Sequence, residues 1–271
     1  MKLAVVGHVE WVQFARVDRV PSPGEIVHAE ETWEEAAGGG AVAAVQLANL
    51  DGSCLLFTIL GNDDNGGRSR EQLEGQGVTV HAGRLAEPQR RVFTFVDGAA
   101  ERTITVLGER QEAQGDERLP WHELDDCDAV YFVSGGRAAL RQARHARLLV
   151  ASARSMRTLQ GSEVQLDVVV GSGRDPAERV RPGDLDPSPR LTITTAGSLG
   201  GWAQPGGPYA ASPLPAPPVD AYGCGDSFAA GLTFALARGD EQADAIAFAA
   251  ECGAAALTGR GAYSGQLRLA R

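Results

Sequence analysis

Residues 219–231, VDAYGCGDSFAAG, are the most informative part of the sequence. It follows a proline-rich segment, and its small residues form a loop that leads into an apolar helix. The first turn of a helix carries unpaired backbone N–H groups and a positive partial charge. The stretch therefore predicts an anion site that needs no lysine.

Asp226 lies in the first turn of this predicted helix, beside the anion site. A carboxylate there suits a general base that takes a proton from an attacking hydroxyl group. Donors that hold charge and a base that orients a nucleophile are the parts of a phosphoryl transfer. Taken alone, the motif leaves an alternative open, because a first-turn acid also stabilises the helix dipole and short glycine motifs are common.

The same stretch resembles the second signature of the ribokinase-like (PfkB) family of carbohydrate and nucleoside kinases, D-T-x-G-A-G-D-x-F. Other segments resemble family motifs in the same order over nearly the whole chain. These segments are 21–25 (PSPGE), the di-glycine Gly38-Gly39 before a helix, 61–66 (GNDDNG), 195–200 (TAGSLG) and 245–262, which ends in R-G-A. The resemblance implies one Rossmann-like, three-layer α/β domain over residues 1–271, with a small β-sheet lid formed by segments of about 12–35 and 88–107.

The resemblance also implies a reaction, in which ATP with Mg²⁺ phosphorylates a hydroxymethyl group of a small sugar-like acceptor. Gly223, Cys224 and Gly225 would form the anion hole, and Asp226 would be the base. Asp220 would correspond to the aspartate near a monovalent-cation site that some members have. A thiol pKa tends to fall at a helix N-terminus, but the motif pairs no histidine with Cys224, so we do not expect a nucleophile there.

On the nucleotide side, the family's N-x-x-E, which organises Mg²⁺ and phosphate through water, appears here as 172–175, SGRD. Asp175 would keep this role with a shorter reach, or the site is weakened. Four further residues would border the nucleotide by the same resemblance: Thr195, Gly197, Gly200 and Gly253.

The acceptor side departs from the family pattern. Many members have an aspartate that binds sugar hydroxyls where this chain has Val12, and the alternation of a strand places Glu10 on the same face. Glu10 is a candidate substitute beside Gly38 and Gly39, with a solvated strand-end acid as the alternative. Ala43 replaces a family asparagine. Because hydroxyl contacts discriminate strongly between substrates, an ordinary ribose or fructose acceptor is not expected.

Arg102 lies on a predicted lid strand, from which its fork of donors would reach an acceptor carboxylate or phosphate. Surface solvation is the alternative for Arg102, and Arg90 and Arg91 give a similar but weaker signal. His8 follows a strand end near the expected acceptor. A lone histidine there is more typical of a structural role, and no second ligand at suitable spacing supports zinc.

The charge pattern excludes several classes of protein. The chain has 25 Lys+Arg and 35 Asp+Glu, a formal net charge of −10, and a single lysine, Lys2. The clustered cations of a nucleic-acid surface are absent, and lysine-dependent phosphate loops are excluded because Lys2 precedes every glycine. We therefore expect a small-molecule partner and no nucleic acid.

The cysteines form no C-x-x-C pair, and no signal peptide or membrane span is apparent, which predicts a cytoplasmic protein with no membrane partner. Lid strands with apolar outer faces are a candidate surface for a homodimer.

Apolar runs predict buried parallel strands at 3–6, 54–60, 129–134, 148–152, 165–170 and 191–195, and alternation predicts strands at 25–30, 91–96 and 103–107. Helices are predicted at 41–50, 138–147, 223–238 and 241–257.

The sequence thus favours an ATP-dependent sugar kinase. A non-catalytic nucleotide- or metabolite-binding protein that retained the fold is the first alternative, motivated by Val12, Ala43 and Ser172 and opposed by the intact Asp226. A nucleoside kinase is the second alternative. A Rossmann oxidoreductase requires a glycine fingerprint that the chain lacks.

Overall fold

The computed structural model describes residues 1–269. In chain order the strands are β1 (Leu3–Val6), β2 (Glu10–Arg16), β3 (Glu31–Ala37), β4 (Cys54–Gly61), β5 (Val78–Leu85), β6 (Arg91–Val96), β7 (Arg102–Leu107), β8 (Ala129–Phe132), β9 (Leu148–Ser152), β10 (Val168–Ser172), β11 (Leu191–Thr195), β12 (Gly201–Gln204) and β13 (Gly207–Tyr209). The helices are α1 (Gly39–Asp51), α2 (Asp64–Gly75), α3 (Arg137–Ala143), α4 (Met156–Leu159), α5 (Cys224–Arg238) and α6 (Gln242–Ala256).

Nine strands form a central sheet in the order β13-β12-β11-β10-β9-β8-β1-β4-β5. The strands from β11 to β5 are parallel, and β12 and β13 add an antiparallel edge. The parallel strands are continuous apolar runs because both faces of the sheet are covered. Helices α1, α5 and α6 bury their apolar residues against one face, and α3 packs on the other. The predicted three-layer α/β arrangement is therefore present.

Helix α5 begins within residues 219–231, the most informative part of the sequence. Gly223 caps it in the left-handed conformation at φ 77°, and a Cβ atom there would lie 2.8 Å from Val42 Cγ1 on α1. Glycine is therefore required both by the backbone angle and by the close approach of the two helices. The start of α5 lies beside the start of α1, at the carboxyl edge of the parallel strands, where sheets of this kind hold their sites.

Four strands form a second, smaller sheet in the order β3-β2-β6-β7. Its inner face carries Glu10 and Phe14 of β2, and Phe14 meets Tyr222 edge-on at 5.0 Å just before α5. Alternation places Arg102, Ile104 and Val106 of β7 on this same face. The small sheet therefore faces the loop before α5.

One predicted strand is wrong. Residues 25–30 alternate in polarity but form no strand, and the observed strand begins at Glu31. The Glu25 carboxylate accepts a hydrogen bond from Ser22 N–H at 2.9 Å and pairs with Arg19, which holds the segment in a local turn. Ile26 is 90% exposed, so nothing covers the apolar positions of this segment.

Candidate active site

Asp226 lies in the first turn of α5 with its side chain 13% exposed. Its Oδ1 atom faces the di-glycine: a Cβ atom on Gly39 would lie only 2.9 Å from it. The absence of a side chain at Gly39 therefore lets the carboxylate and the start of α1 share one cleft.

The backbone amides of the first turn of α5 lie in the same cleft. The N–H groups of Cys224, Gly225 and Asp226 precede the first intrahelical bond, which Ser227 N–H donates to Gly223 O at 2.8 Å. Gly225 is exposed, and no atom lies within 4 Å of the position a Cβ would take. The first turn of α5 thus has open space beside Gly225, close in sequence to the Asp226 carboxylate.

The di-glycine is held from two sides. Gly38 N–H donates to Tyr222 Oη at 3.1 Å, and Gly39 N–H donates to His8 Nε2 at 3.3 Å. Burial first, and then the charges of nearby arginines, hold the pKa of His8 well below its ordinary value. Neutral His8 therefore accepts at Nε2 and donates from Nδ1 to Ser134 Oγ at 2.9 Å. His8 is a structural support of the cleft.

Glu10 and Arg90 form a buried ion pair on the inner face of the small sheet. Arg90 Nη1 lies 3.0 Å from Glu10 Oε1, and the two side chains are 9% and 10% exposed. Burial raises the pKa of Glu10 although Arg90 opposes the shift. In the described part of the chain, the buried Nε group of Arg90 has no hydrogen-bond partner, whereas Nη1 is paired with the Glu10 carboxylate.

Further guanidinium groups surround this pair. The positive charges of Arg110, Arg154 and Arg90 all lower the pKa of the neighbouring His8. Arg102 on β7 is exposed, and its charge favours the ionised forms of Asp220 and Cys224. Several arginines thus act electrostatically on this part of the cleft, although the chain as a whole is acidic.

Arg154 follows the carboxyl end of β9 and extends toward Asp226. Its Nε donates to Glu178 Oε1 at 2.5 Å, and its Nη1 lies 3.9 Å from Asp226 Oδ2. The two carboxylates, Asp226 first, raise the pKa of Arg154 further above its ordinary value against the effect of burial. Sequence reasoning missed Arg154, Glu178 and Arg110. The position of Arg154 directly after a parallel strand was a usable signal, since sites form at that edge.

Asp220 is fully buried before α5. Its Oδ1 accepts a hydrogen bond from Tyr222 N–H at 2.9 Å, and its Oδ2 accepts one from Gly261 N–H at 3.0 Å. Burial raises the pKa of Asp220 in spite of these bonds. The carboxylate therefore ties the loop to the segment after α6, and its predicted link to a monovalent cation stays a prediction.

The thiol of Cys224 does not follow the expected trend. Burial raises its pKa to about 12, and the nearby charge of Arg102 offsets only part of this effect. The expectation of a lowered pKa at the helix start is wrong, because desolvation of the thiolate dominates over the helix terminus. Cys224 therefore contributes a backbone N–H group and a small side chain.

The residues predicted for the nucleotide lie after β11 and on α6. Thr195 ends β11, and Gly197 and Gly200 follow it in a turn that Arg174 borders. Asp175 is exposed, and its Oδ1 accepts a hydrogen bond from Ala177 N–H at 2.9 Å. Gly253 lies where α6 packs on α5, since a Cβ there would be 3.3 Å from Cys224 O.

Three comparisons place the chain among known proteins. The family model of the pfkB family carbohydrate kinases matches residues 1–168 and 185–268. A relative from Halopiger xanaduensis, an ATP-dependent ribose-1-phosphate kinase, is 27% identical over 97% of this chain and 94% of its own length. A ribokinase from Thermotoga maritima has a TM-score of 0.80 at 21% identity, covering 98% of this chain and 96% of that chain. A ribokinase from Arabidopsis thaliana, complexed with ribose and ATP, has a TM-score of 0.77 at 18% identity, covering 98% and 95%.

The chain belongs to the pfkB family of carbohydrate kinases. The predicted ribokinase-like α/β fold with a second, small sheet is confirmed, as is the predicted class of enzyme, a sugar kinase. The large sheet is mixed, because β12 and β13 are antiparallel. No helix in the described residues 1–269 is long and apolar enough to span a bilayer.

Proposed function

We propose that this sugar kinase transfers the γ-phosphoryl group of ATP to a hydroxyl group of a phosphorylated sugar, with Asp226 as the general base. The observation that carries the proposal is the meeting of the Asp226 carboxylate, the unpaired amides at the start of α5 and Gly39 in one cleft. The acceptor oxygen forms a bond to the γ-phosphorus while the bond to the β–γ bridging oxygen breaks. ADP leaves, and the acceptor proton passes to Asp226.

The amides of residues 223–225, together with the first turn that follows, would stabilise charge on the transferring group. They are preorganised, because Gly223 is fixed in the left-handed conformation at φ 77° and the helix holds the donors that follow. Fixed donors of this kind require no reorganisation during the reaction. The nucleotide would extend from here toward Thr195, Gly197 and Gly200.

The exposed carboxylate of Asp175, after β10, fits a magnesium ion carried mainly by the nucleotide. No group of three or more His, Cys, Asp or Glu side chains in residues 1–269 forms a metal cage. Mg²⁺ keeps several waters and commonly uses one or two carboxylates plus substrate phosphates. Asp175 would hold the ion through water, and the ion would supply charge neutralisation on the phosphates.

The arginines of the acceptor side support an anionic acceptor. The buried Nε group of Arg90 has no hydrogen-bond partner, its Nη1 is paired with Glu10, and the charge of Arg110 lies close enough to lower the pKa of Arg90. A phosphate would pair with both guanidinium groups. The name of the Halopiger xanaduensis relative, a ribose-1-phosphate kinase, supports the same acceptor class. A neutral sugar or nucleoside would leave these donors unpaired, which a polar site discriminates against strongly.

The small sheet is proposed to act as a lid over this acceptor. Its strand β7 is exposed along its whole length, and Ile104 and Val106 on the inner face are 43% and 45% exposed. An acceptor bound between this face and Asp226 would cover these apolar side chains and exclude water. Outer-face residues such as Phe93 and Phe95 remain the predicted surface for a homodimer.

A screen of acceptors tests the proposal. Purified protein is incubated with ATP, Mg²⁺ and one acceptor at a time: ribose, ribose 1-phosphate, ribose 5-phosphate, fructose, fructose 6-phosphate or adenosine, and ADP formation is measured. We expect a phosphorylated sugar to exceed its unphosphorylated form by about 100-fold or more in kcat/KM. Binding of ATP without turnover on any acceptor would contradict the proposal and favour the non-catalytic alternative.

A further inference from the structure

Arg154 is the cation nearest to the proposed base. Its Nη1 lies 3.9 Å from Asp226 Oδ2, whereas Asp226 Oδ1 faces Gly39 on the acceptor side. A separation of 3.9 Å is too long for a hydrogen bond. Arg154 therefore borders the carboxylate without satisfying it, on the side away from the di-glycine.

Glu178 orients the guanidinium group. Its Oε1 accepts from Arg154 Nε at 2.5 Å, and its side chain is only 10% exposed. This is the one hydrogen bond that the Arg154 side chain makes within residues 1–269, and the side chain is 36% exposed. Its Nη groups are therefore held in place but remain free to bind a ligand in the cleft.

Phosphoryl transfer is favoured by a cation beside the transferring group. The transferring phosphoryl group carries negative charge on three equatorial oxygens, and a guanidinium fork matches two of them. Lys2, the only lysine of the chain, lies 3.9 Å from Glu123 and directly precedes β1, so it stands at the amino edge of the sheet. It is thus at the opposite edge from Asp226.

We propose that Arg154 is a catalytic residue whose Nη groups contact the γ-phosphoryl group during its transfer, and that Glu178 is the residue that positions it. This inference rests on the proposed function and adds a group to it. As the bond from γ-phosphorus to the β–γ bridging oxygen breaks and the bond to the acceptor oxygen forms, Arg154 neutralises charge on the equatorial oxygens. The acceptor proton still passes to Asp226, and ADP is still the leaving group.

The test compares Arg154→Lys and Arg154→Ala with Arg190→Ala in steady-state kinetics. Arg190 is the matched control, since it pairs with Asp167 at 3.2 Å and its side chain is 74% exposed. We expect both Arg154 variants to lower kcat by about 100- to 1,000-fold, with KM for ATP and acceptor changed by no more than about threefold. Arg190→Ala should match the wild type.

Two further measurements separate a catalytic role from a structural one. Guanidinium ion at millimolar concentration should raise the turnover of Arg154→Ala at least about tenfold compared with an equal concentration of sodium ion. It should not raise the turnover of the Arg190→Ala control. The double variant Arg154→Ala/Glu178→Gln removes the unpaired buried carboxylate and should recover melting temperature but not kcat.

Three outcomes would overturn the inference alone. The first is an active wild type whose Arg154→Lys variant keeps turnover within about threefold. The second is a rise in the KM of the Arg154 variants for acceptor or ATP with kcat unchanged, and the third is recovery of kcat in the double variant. A wild-type protein that phosphorylates no acceptor would instead overturn the proposed function, and this inference with it.

Discussion

Gly39 and Asp226 face each other across the cleft: a Cβ atom on Gly39 would lie 2.9 Å from Asp226 Oδ1 and equally close to Val133 Cγ1. The start of α1 thus sets the position of the carboxylate on α5. The di-glycine motif acts through this spacing, and its N–H groups are already bound to Tyr222 and His8.

Gly39→Ala should therefore displace the base. We expect kcat to fall by about 10- to 100-fold, since small misplacements of reacting groups are costly. Gly67→Ala in α2 is the control, because no atom lies within 4 Å of its Cβ position. The control should gain up to about 1 kcal/mol of stability from helix propensity and keep its turnover. Equal turnover of the two variants would contradict the role of this spacing.

Arg90 should determine selectivity for a phosphorylated acceptor. Removing it alone would leave Glu10 as an unpaired buried charge, so we compare Glu10→Gln with Glu10→Gln/Arg90→Met. Relative to Glu10→Gln, the added Arg90→Met substitution should raise KM for the phosphorylated sugar by about 10- to 100-fold, because one or two charge-assisted hydrogen bonds are lost. KM for the unphosphorylated sugar should change little.

The neighbouring Arg91 provides the control for this prediction. It follows Arg90 directly, is exposed and lies on the outer face of the small sheet. Arg91→Met should leave both KM values unchanged. If the KM values for phosphorylated and unphosphorylated sugars rise by the same factor when Arg90 is replaced, Arg90 does not bind the phosphate.

His8 predicts a specific pH dependence of stability. Its folded pKa lies well below the ordinary value of 6.5, so below that pH the unfolded chain takes up a proton that the folded chain does not. The free energy of unfolding should then fall with decreasing pH, by up to about 1.4 kcal/mol per pH unit for this one group. Stability from neutral His8 is thus present above pH 6.5 and is lost toward the depressed pKa.

The comparison with His8→Gln isolates this contribution from those of other groups. The variant should be less stable than the wild type at pH 7.5 by about 1–3 kcal/mol, because it loses the contacts with Gly39 and Ser134. The difference should narrow as the pH falls to 5, which denaturant unfolding at each pH would measure. A difference that stays constant over this range would show that His8 titrates normally in the folded protein.

Cys224 should be unreactive despite its position in the anion loop. With a pKa of about 12, its thiolate fraction at pH 8 should make alkylation roughly 1,000-fold slower than that of a free cysteine. Mass spectrometry after iodoacetamide treatment measures this rate, with Cys224→Ala assigning the signal. The Ala variant should keep turnover within about threefold, since only its backbone N–H is used. Rapid labelling at pH 8 would contradict the raised pKa of the Cys224 thiol.

The buried parallel strands and the start of α5 were the most predictable elements from the sequence. Apolar runs such as 3–6 and 148–152 identify buried parallel strands, because both faces of the sheet are covered. The small residues before Asp226 identify a helix start with open amides. In both cases a local pattern has one dominant physical cause.

The side chains that pair around the candidate site residues were less predictable from the sequence. Arg154 follows β9 and Glu178 follows β10, and only the pairing of these strands brings their side chains together. Glu10 was identified by strand alternation, but its partner Arg90 was a weak candidate because the register of β2 and β6 is a tertiary property. Residues 25–30 have a strand-like pattern but no neighbouring strand, and a local turn forms instead.

Replacement of Asp226 by Asn tests whether Asp226 is the general base of the proposed reaction. Asn has the same shape and cannot take the acceptor proton, so kcat with the best acceptor should fall by about 1,000-fold or more while ATP still binds with a Kd within about threefold of wild type. The measurement is acceptor-dependent ADP formation by Asp226→Asn and wild type, with ATP binding followed by calorimetry on the same samples. Turnover of Asp226→Asn within about tenfold of wild type would contradict the role of Asp226 as general base.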